Sequence, residues 1–154
     1  MPNLRRAGTG DAAELTRLRA LMFVEMGVEV SAPGWAQACE RALVRRLTDV
    51  DRFAAWLVEA DGRVVSTGAG WVEEHLPSPG SPDGRRGHVA SMSTEPAWRR
   101  QGHARSVLDA LLAWFDEAGV PRVDLRATSD GRALYERAGF RPLGGPSLSR
   151  LSRP

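Results

Sequence analysis

The sequence has very little cysteine and no long apolar segment, and both absences exclude classes of protein. Cys39 is the only cysteine among the 154 residues, so an internal disulfide and a thiolate metal cluster are excluded. No apolar run reaches membrane-spanning length, and the first residues lack the apolar stretch of a secretory signal. We therefore expect a cytoplasmic protein that acts without a membrane partner.

Lysine is absent, so all 21 basic residues are arginines. The formal net charge is only +2 and no basic-aromatic stripe is visible, so we expect no nucleic-acid partner. Without lysine, the Gly-x-x-x-x-Gly-Lys-Ser/Thr loop of nucleotide-hydrolysing enzymes is also excluded. Hydrophobic residues make up 42% and charged residues 26% of the chain, which indicates one folded domain over residues 1–154.

Hydrophobic periodicity predicts an α/β fold. The pattern indicates helices between Asp11 and Gly27, over residues 35–47, over 104–118 and over 130–138. Strand-like runs cover residues 4–7, 53–59, 63–73, 88–94 and 123–127, and Phe140 begins a final strand. Asp61-Gly62 between two of these runs is a hairpin signal. Strands that alternate with helices in the second half predict a mixed, partly parallel central sheet flanked by helices.

The segment from Glu95 to Ala104 joins a predicted strand to a predicted helix and is suited to bind an anion. The first turn of a helix has unpaired N–H groups and the positive end of the helix dipole. Gly102 and Ala104 let the main chain approach a phosphate closely, and Arg99 adds positive charge. A simple helix-start glycine would not explain the surrounding arginines, so we expect a phosphate-bearing cofactor here.

Two separated motifs resemble those of the GNAT superfamily of N-acetyltransferases, which use acetyl-CoA. The first, Arg99-Arg100-Gln101-Gly102-His103-Ala104, is similar to the family's Arg/Gln-x-x-Gly-x-Gly/Ala pyrophosphate loop. The second, Leu-Tyr-Glu-Arg-Ala-Gly-Phe at residues 134–140, is similar to the family's Leu-Tyr-x-x-x-Gly-Phe. The order of elements fits over nearly the whole chain. The resemblance implies a GNAT-like sheet and acetyl transfer from acetyl-CoA to an amine.

The resemblance also implies which residues hold the cofactor. Main-chain groups of Met92, Ser93 and Thr94 would pair with the pantetheine arm like an added strand. The N–H groups of the loop from Arg99 to Ala104 would hold the pyrophosphate. Thr128 stands where the family often has an Asn that contacts the cofactor.

Tyr135 is the expected general acid. The resemblance implies that its phenol lies near the cofactor sulfur and gives a proton to the leaving thiolate. The N–H of Met92 would stabilise the charge that develops on the thioester oxygen. A core aromatic is the alternative reading of Tyr135, the only tyrosine.

The general base is open between three side chains. Some relatives have a Glu four residues before the position of Met92, and here that residue is His88. An imidazole titrates near neutral pH, which suits a base, and strand alternation predicts that His88 shares a face with Met92. A lone strand histidine is also commonly a surface residue. Glu73 and Glu74 at a strand end are the alternatives, as a relay for the amine proton or as a solvated strand end.

The break between the first two helices lines the acceptor site in this family. Glu25 and Glu29 near the break would attract a cationic amine, or they are solvated. Met22, Met26 and Trp35 would line the same site or belong to the core.

We predict an N-acetyltransferase in which the amine attacks acetyl-CoA directly, with no nucleophilic residue. The alternative is a GNAT-like domain that binds or senses acyl-CoA without turnover, which Ser91 and Thr128 favour because many relatives have Asn at these positions. The acceptor is open among aminoglycosides, polyamines, amino acids and protein amines, and a homodimer is one expectation. His75 and His103 share no ligand spacing with His88, so no metal site is predicted.

Overall fold

A computed structural model describes residues 1–152 of the chain. The strands are β1 (Asn3–Arg6), β2 (Phe53–Ala60), β3 (Arg63–Glu74), β4 (Arg85–Thr94) and β5 (Val123–Leu125). The α-helices are α1 (Ala12–Glu25), α2 (Trp35–Thr48), α3 (His103–Glu117) and α4 (Arg132–Arg137), and 3-10 turns cover Thr9–Asp11 and Pro96–Trp98. Within residues 1–152, none of the helices is both long and apolar enough to cross a membrane.

The strands form one five-stranded sheet in the order β1-β2-β3-β4-β5. Neighbours from β1 to β4 are antiparallel, whereas β5 lies parallel to β4. The chain passes through α3 between β4 and β5, because a parallel neighbour is reached only by a long crossover. The prediction of a mixed, partly parallel sheet flanked by helices is confirmed.

Helices cover both faces of the sheet, and each face has its own buried cluster. On one face α3 packs with its apolar stripe inward, and its buried side chains include Val107, Leu108, Leu111 and Phe115. On the other face α1 and α2 contribute the buried side chains Leu15, Leu18 and Leu47. We call these surfaces of the sheet the α3 face and the α1–α2 face.

β2 and β3 form the hairpin that Asp61-Gly62 predicts. Ala60 pairs with Arg63, which leaves a turn of two residues. Asp61 and Gly62 have φ values of 50° and 73°. A two-residue hairpin turn with positive φ at both positions has a twist that matches the twist of the flanking strands. Asp and Gly adopt positive φ more readily than most residues, which explains why Asp-Gly is common in such turns.

β4 contains a bulge at Ser91 that changes which side chains share a face. Ser91 has a φ of 56°, and the pairing with β3 shifts between Thr67 and Ala69. Val89 and Met92 both pack on the α3 face although they are three residues apart. Residues three apart point to opposite faces in a regular strand, so the extra residue of the bulge reverses the alternation.

β5 is short, and it leaves β4 where the bulge begins. Its three residues pair only with Gly87, His88 and Val89. In the described part of the chain, residues 90–94 of β4 therefore have β3 on one side and no strand on the other. On that side an extended ligand would pair with the main chain of β4 as an added strand does.

Two details of the predicted secondary structure are wrong. Residues 140–152 contain no strand, since Pro142 and Pro146 lack the N–H that a strand ladder uses and Gly144-Gly145 weakens any strand between them. The strand predicted over residues 123–127 ends at Leu125.

Candidate functional site

The segment between β4 and α3 presents an uncapped helix start, as the sequence predicted. Arg100 and Gly102 have φ values of 59° and 83°, which turn the chain into α3 at His103. Among residues 1–152, no side chain caps the first turn of α3. Its N–H groups therefore meet the requirement for an anion site, because they need acceptors and carry the positive end of the dipole.

Arg99 faces back toward the protein rather than outward from this loop. Its Nε donates to the carbonyl of Thr94 at 3.0 Å, and its Nη2 donates to the carboxylate of Glu25 at the end of α1. Arg99 thus joins the end of β4 to the end of α1. An incoming phosphate would compete with Glu25 for the same guanidinium.

The other loop side chains differ in what they offer. Arg100 is exposed and makes no hydrogen bond with another described residue. Gln101 donates its amide Nε2 to the carbonyl of Ala97 at 3.3 Å. His103 is 8% exposed, its ring centroid lies 6.1 Å from that of Trp98, and its Nε2 has no partner within residues 1–152. His103 therefore offers a ligand its main-chain N–H, while its side chain packs inside.

Glu95 anchors the start of this loop, a role that no motif indicated. Its side chain is buried, and its Oε1 accepts a hydrogen bond from Arg17 Nη1 at 2.6 Å and another from Arg63 Nη2. Burial alone would raise the pKa of Glu95, but the two guanidinium groups outweigh it and the pKa is lowered. Its N–H donates to the carbonyl of Val65 at 2.9 Å, so the loop is fixed to both β3 and α1.

Met92, Ser93 and Thr94 follow the bulge on the open side of β4. Thr94 Oγ1 lies 2.7 Å from Ser66 Oγ of β3. Ser93 is buried, and its hydroxyl has no partner among the described residues. The side chain of Met92 packs on the α3 face close to Gly68, where an added Cβ would lie only 2.2 Å from its sulfur.

Tyr135 lies on α4 and packs on the α3 face. Its ring meets Phe140 edge to face at 6.0 Å, and it lines a cavity of about 710 Å³ with Val123 and Leu125 of β5. Burial raises the pKa of the Tyr135 phenol, so the proton is held more firmly than usual. Thr128 is exposed, and its Oγ1 accepts a hydrogen bond from the N–H of Gly131 at 3.3 Å, which supports the turn into α4.

His88 lies on the α1–α2 face, so the expectation that it shares a face with Met92 is wrong. Its cross-strand partner is Trp71, with ring centroids 4.9 Å apart, and Trp71 packs against the α1–α2 cluster. The bulge at Ser91 is the cause, because it reverses the alternation between the two positions. His88 and Tyr135 therefore lie on opposite faces of the sheet.

The carboxylates near His88 already have partners. Glu73 accepts a hydrogen bond from Trp71 Nε1 at 3.0 Å, and His75 Nε2 lies 3.0 Å from its other oxygen. The hydrogen bond with His75 is the main reason that the pKa of Glu73 is lowered. Glu74 is exposed and pairs with Arg52 at 2.6 Å. The lowered pKa of Glu73 weakens it as a base, and the carboxylate of Glu74 is engaged by Arg52.

Arg19 of α1 is a second residue that sequence reasoning did not find. Its Nη1 donates to the hydroxyl of Ser91 in the bulge, and its guanidinium lies 4.7 Å from the ring centroid of Phe23. Phe23 in turn meets Trp35 edge to face at 6.0 Å. No spacing could reveal this contact, since 72 residues separate Arg19 from Ser91.

Comparison with known proteins shows which family has this fold. The family model described as "Acetyltransferase (GNAT) family" matches residues 16–140. A predicted acetyltransferase from Clostridium acetobutylicum, solved with acetyl-CoA, is 25% identical with a TM-score of 0.89, over 97% of this chain and 96% of that one. A GCN5-related N-acetyltransferase from Ralstonia eutropha JMP134 is 26% identical with a TM-score of 0.86, over 97% and 99%.

More distant structures share the fold. Glucosamine-6-phosphate N-acetyltransferase from Arabidopsis thaliana has a TM-score of 0.78 at 14% identity, over 99% of both chains. A search of curated protein sequences found no significant match. Since the family model covers well over half of the sequence, this chain belongs to the acetyltransferase (GNAT) family.

Proposed function

We propose that this protein is an N-acetyltransferase that works as a single domain and moves the acetyl group of acetyl-CoA directly to an amine. The observation that carries the proposal is the open side of β4 at residues 90–94, followed at once by the uncapped start of α3. Acetyl-CoA contains an extended chain of amides that ends in a pyrophosphate. The amides suit the open edge of β4, and the pyrophosphate suits the start of the helix that follows it. The similar protein from Clostridium acetobutylicum, solved with acetyl-CoA, supports the same donor here.

Acetyl-CoA would supply an activated acetyl thioester, and the residues on β4 and the following loop are suited to hold it. Main-chain groups of Met92, Ser93 and Thr94 would pair with its amide arm. The N–H groups from Arg100 to Ala104 would face the phosphates, while Arg99 would exchange Glu25 for a phosphate oxygen. The N–H of Met92, just after the bulge, is our candidate donor to the developing oxyanion.

His88 is the proposed base. The acceptor amine must lose a proton to react, and His88 lies on the face of the sheet that α1 and α2 cover. Glu73 and Glu74 are weaker candidates because Glu73 is hydrogen-bonded to Trp71 and His75, and Glu74 is paired with Arg52. A water molecule between His88 and the amine would extend the reach of the imidazole.

Tyr135 is the proposed acid, and its surroundings support that role. Burial favours the neutral phenol, so the side chain carries a proton to donate at neutral and mildly alkaline pH. Tyr135 approaches from the α3 face, opposite His88. A base on one face and an acid on the other would let the amine enter and the thiolate leave on different sides of the acetyl group.

The first experiment is ligand binding. CoA should raise the melting temperature of the protein, because a ligand bound only by the folded state adds RT ln(1 + [L]/Kd) to its stability. Gly102→Asp should abolish this shift, since it puts a carboxylate where the phosphates would lie. Gly34→Asp is the matched control: Gly34 also precedes a helix, has φ of 84° against 83°, and has the same free space around an added Cβ.

The second experiment separates an enzyme from a sensing domain. Release of free thiol from acetyl-CoA would be measured with a panel of amines, with the amine-free rate subtracted. Amine-dependent release supports the transferase. Tight CoA binding without release from any amine supports the alternative, a domain that binds or senses acyl-CoA. An unchanged melting temperature at millimolar CoA would contradict both.

A further inference from the structure

The carboxylates that would attract a cationic acceptor are occupied by partners within the protein. Glu25 is bound to Arg99, and Glu74 is bound to Arg52. Glu73 is shared by Trp71 and His75. Glu29 accepts a hydrogen bond from the N–H of Ser31 at 3.0 Å. Cofactor binding would free Glu25 if a phosphate replaces it on Arg99, but the other three carboxylates keep these partners, and a polycationic amine would have to compete with them.

Arg19, unlike these carboxylates, has much of its hydrogen-bonding capacity free. Its hydrogen bond is to the neutral hydroxyl of Ser91, and its other close neighbour is the ring of Phe23. Within residues 1–152, no carboxylate forms a salt bridge with it, although the side chain is half-buried. A guanidinium has five N–H donors in a planar fork that matches carboxylate and phosphate oxygens. Most of those donors are unused here.

The position of Arg19 links this free charge to the proposed chemistry. Ser91 immediately precedes Met92, whose N–H is the candidate oxyanion donor, and it lies in the bulge where β5 leaves β4. Phe23 and Trp35 form an aromatic wall beside the guanidinium. An anion on Arg19 would therefore lie on the acceptor side of the acyl centre, against an apolar surface that strengthens the ion pair by excluding water.

We infer that the acceptor amine carries an anionic group, a carboxylate or a phosphate, that is bound by Arg19. The inference rests on the proposed function, because it places the amine at the bulge of β4. It selects α-amino acids and phosphorylated amines over polyamines and aminoglycosides. Arg19 acts as a specificity residue: it contributes to acceptor binding and takes no part in proton transfer.

The test compares acceptors that differ only in charge. Thiol release from acetyl-CoA is measured with L-amino acids against their amides, and with glucosamine 6-phosphate against glucosamine, at equal concentrations of unprotonated amine. Spermidine serves as the polycation. We expect at least one anionic acceptor to exceed its neutral counterpart about tenfold or more in kcat/KM, the effect of one charge-assisted hydrogen bond. The pair that shows the preference identifies the anion as carboxylate or phosphate.

Variants then assign the preference to Arg19. Arg19→Gln should remove the preference mainly through KM for the anionic acceptor, and Arg19→Lys should restore part of it because the charge remains without the fork. Arg41→Gln is the control, since it removes one charge from α2 beside Thr9 and Ala13 at the far end of α1. An equal loss with charged and neutral acceptors would assign Arg19 to holding Ser91 and overturn the inference, as would a preference for spermidine.

A binding experiment distinguishes failure of the anion-site inference from failure of the proposed transferase function. The same acceptors are titrated by calorimetry into protein saturated with CoA. Thiol release without preference for an anion leaves the transferase standing and overturns the inference. Arg19-dependent binding of an anionic amine without thiol release from any acceptor supports the anion site and contradicts the transferase. Absence of binding by every anionic amine, in wild type and Arg19→Lys alike, overturns the inference.

Discussion

The bulge of β4 is the element on which both the proposed cofactor site and the proposed oxyanion donor depend, and Gly68→Ala is the sharpest way to disturb it. Gly68 lies on β3 beside the bulge, and an added Cβ would lie 2.2 Å from Met92 Sδ and 2.9 Å from Val107 Cγ1. The thioether of Met92 is flexible and can move. Val107 is fully buried, and β-branching fixes its rotamer, so most of the displacement falls on Met92.

The cost follows from this geometry. Inserting a methyl group into a packed core typically costs about 1–3 kcal/mol. At this chain length, each kcal/mol corresponds to roughly 2–4 °C in melting temperature, so we expect Gly68→Ala to melt several degrees lower. The buried side chains of Val107 and Leu111 lie beside the same Cβ and leave the thioether little room, so part of the displacement reaches the main chain of the bulge. We therefore expect a fall of about tenfold or more in kcat/KM for acetyl-CoA, measured with the amine found in the panel.

Two controls separate the bulge from general destabilisation. Gly70→Ala, two residues along β3, would place its Cβ 2.9 Å from Phe115 Cζ and away from Met92, so it should lower the melting temperature with a smaller effect on kcat/KM. Gly80→Ala meets nothing within 4 Å and should change neither quantity. If Gly68→Ala has the same activity and melting temperature as Gly80→Ala, the reasoning that a Cβ at residue 68 displaces Met92 is refuted.

Three further substitutions test the remaining roles. Glu95→Gln should lower the free energy of unfolding by about 1–3 kcal/mol, because it weakens hydrogen bonds from Arg17 and Arg63 to a buried charge. The pKa of Glu95 is lowered in the folded state, so this loss of stability is fully present above the ordinary pKa of 4.5 and disappears as the pH falls through the lowered pKa. A difference in stability between variant and wild type that grows on acidification would refute this role of Glu95. Tyr135→Phe should lower kcat by about 10²–10⁴-fold with CoA affinity little changed, whereas near-normal kcat with lower stability would reduce Tyr135 to a packing role. His88→Gln should lower kcat/KM and remove one limb of its pH profile, and a full-rate variant with an unaltered profile would transfer the role of base to Glu73 or water.

Local patterns were enough to predict most of the framework. The apolar stripe of α3, the Asp61-Gly62 turn and the glycine before His103 each depend on residues close together in sequence, so their structures follow from short-range geometry. The same is true of the two GNAT motifs, which identified the family that the family model confirms. The roles of Tyr135 and of the loop residues stay predictions that the proposed experiments address.

The arrangement of these helices, turns and motifs relative to one another is determined by tertiary contacts. The bulge at Ser91 depends on the pairing of β4 with β3, and it placed His88 and Met92 on opposite faces where simple alternation had put them together. Arg19 meets Ser91 across 72 positions, and Arg17 meets Glu95 across 78. A charged side chain selects its partner by proximity in the folded chain, and no local periodicity encodes that choice. For this reason the sequence predicted a loop that would bind the donor, whereas the proposed role of Arg19 depends on contacts that exist only after folding.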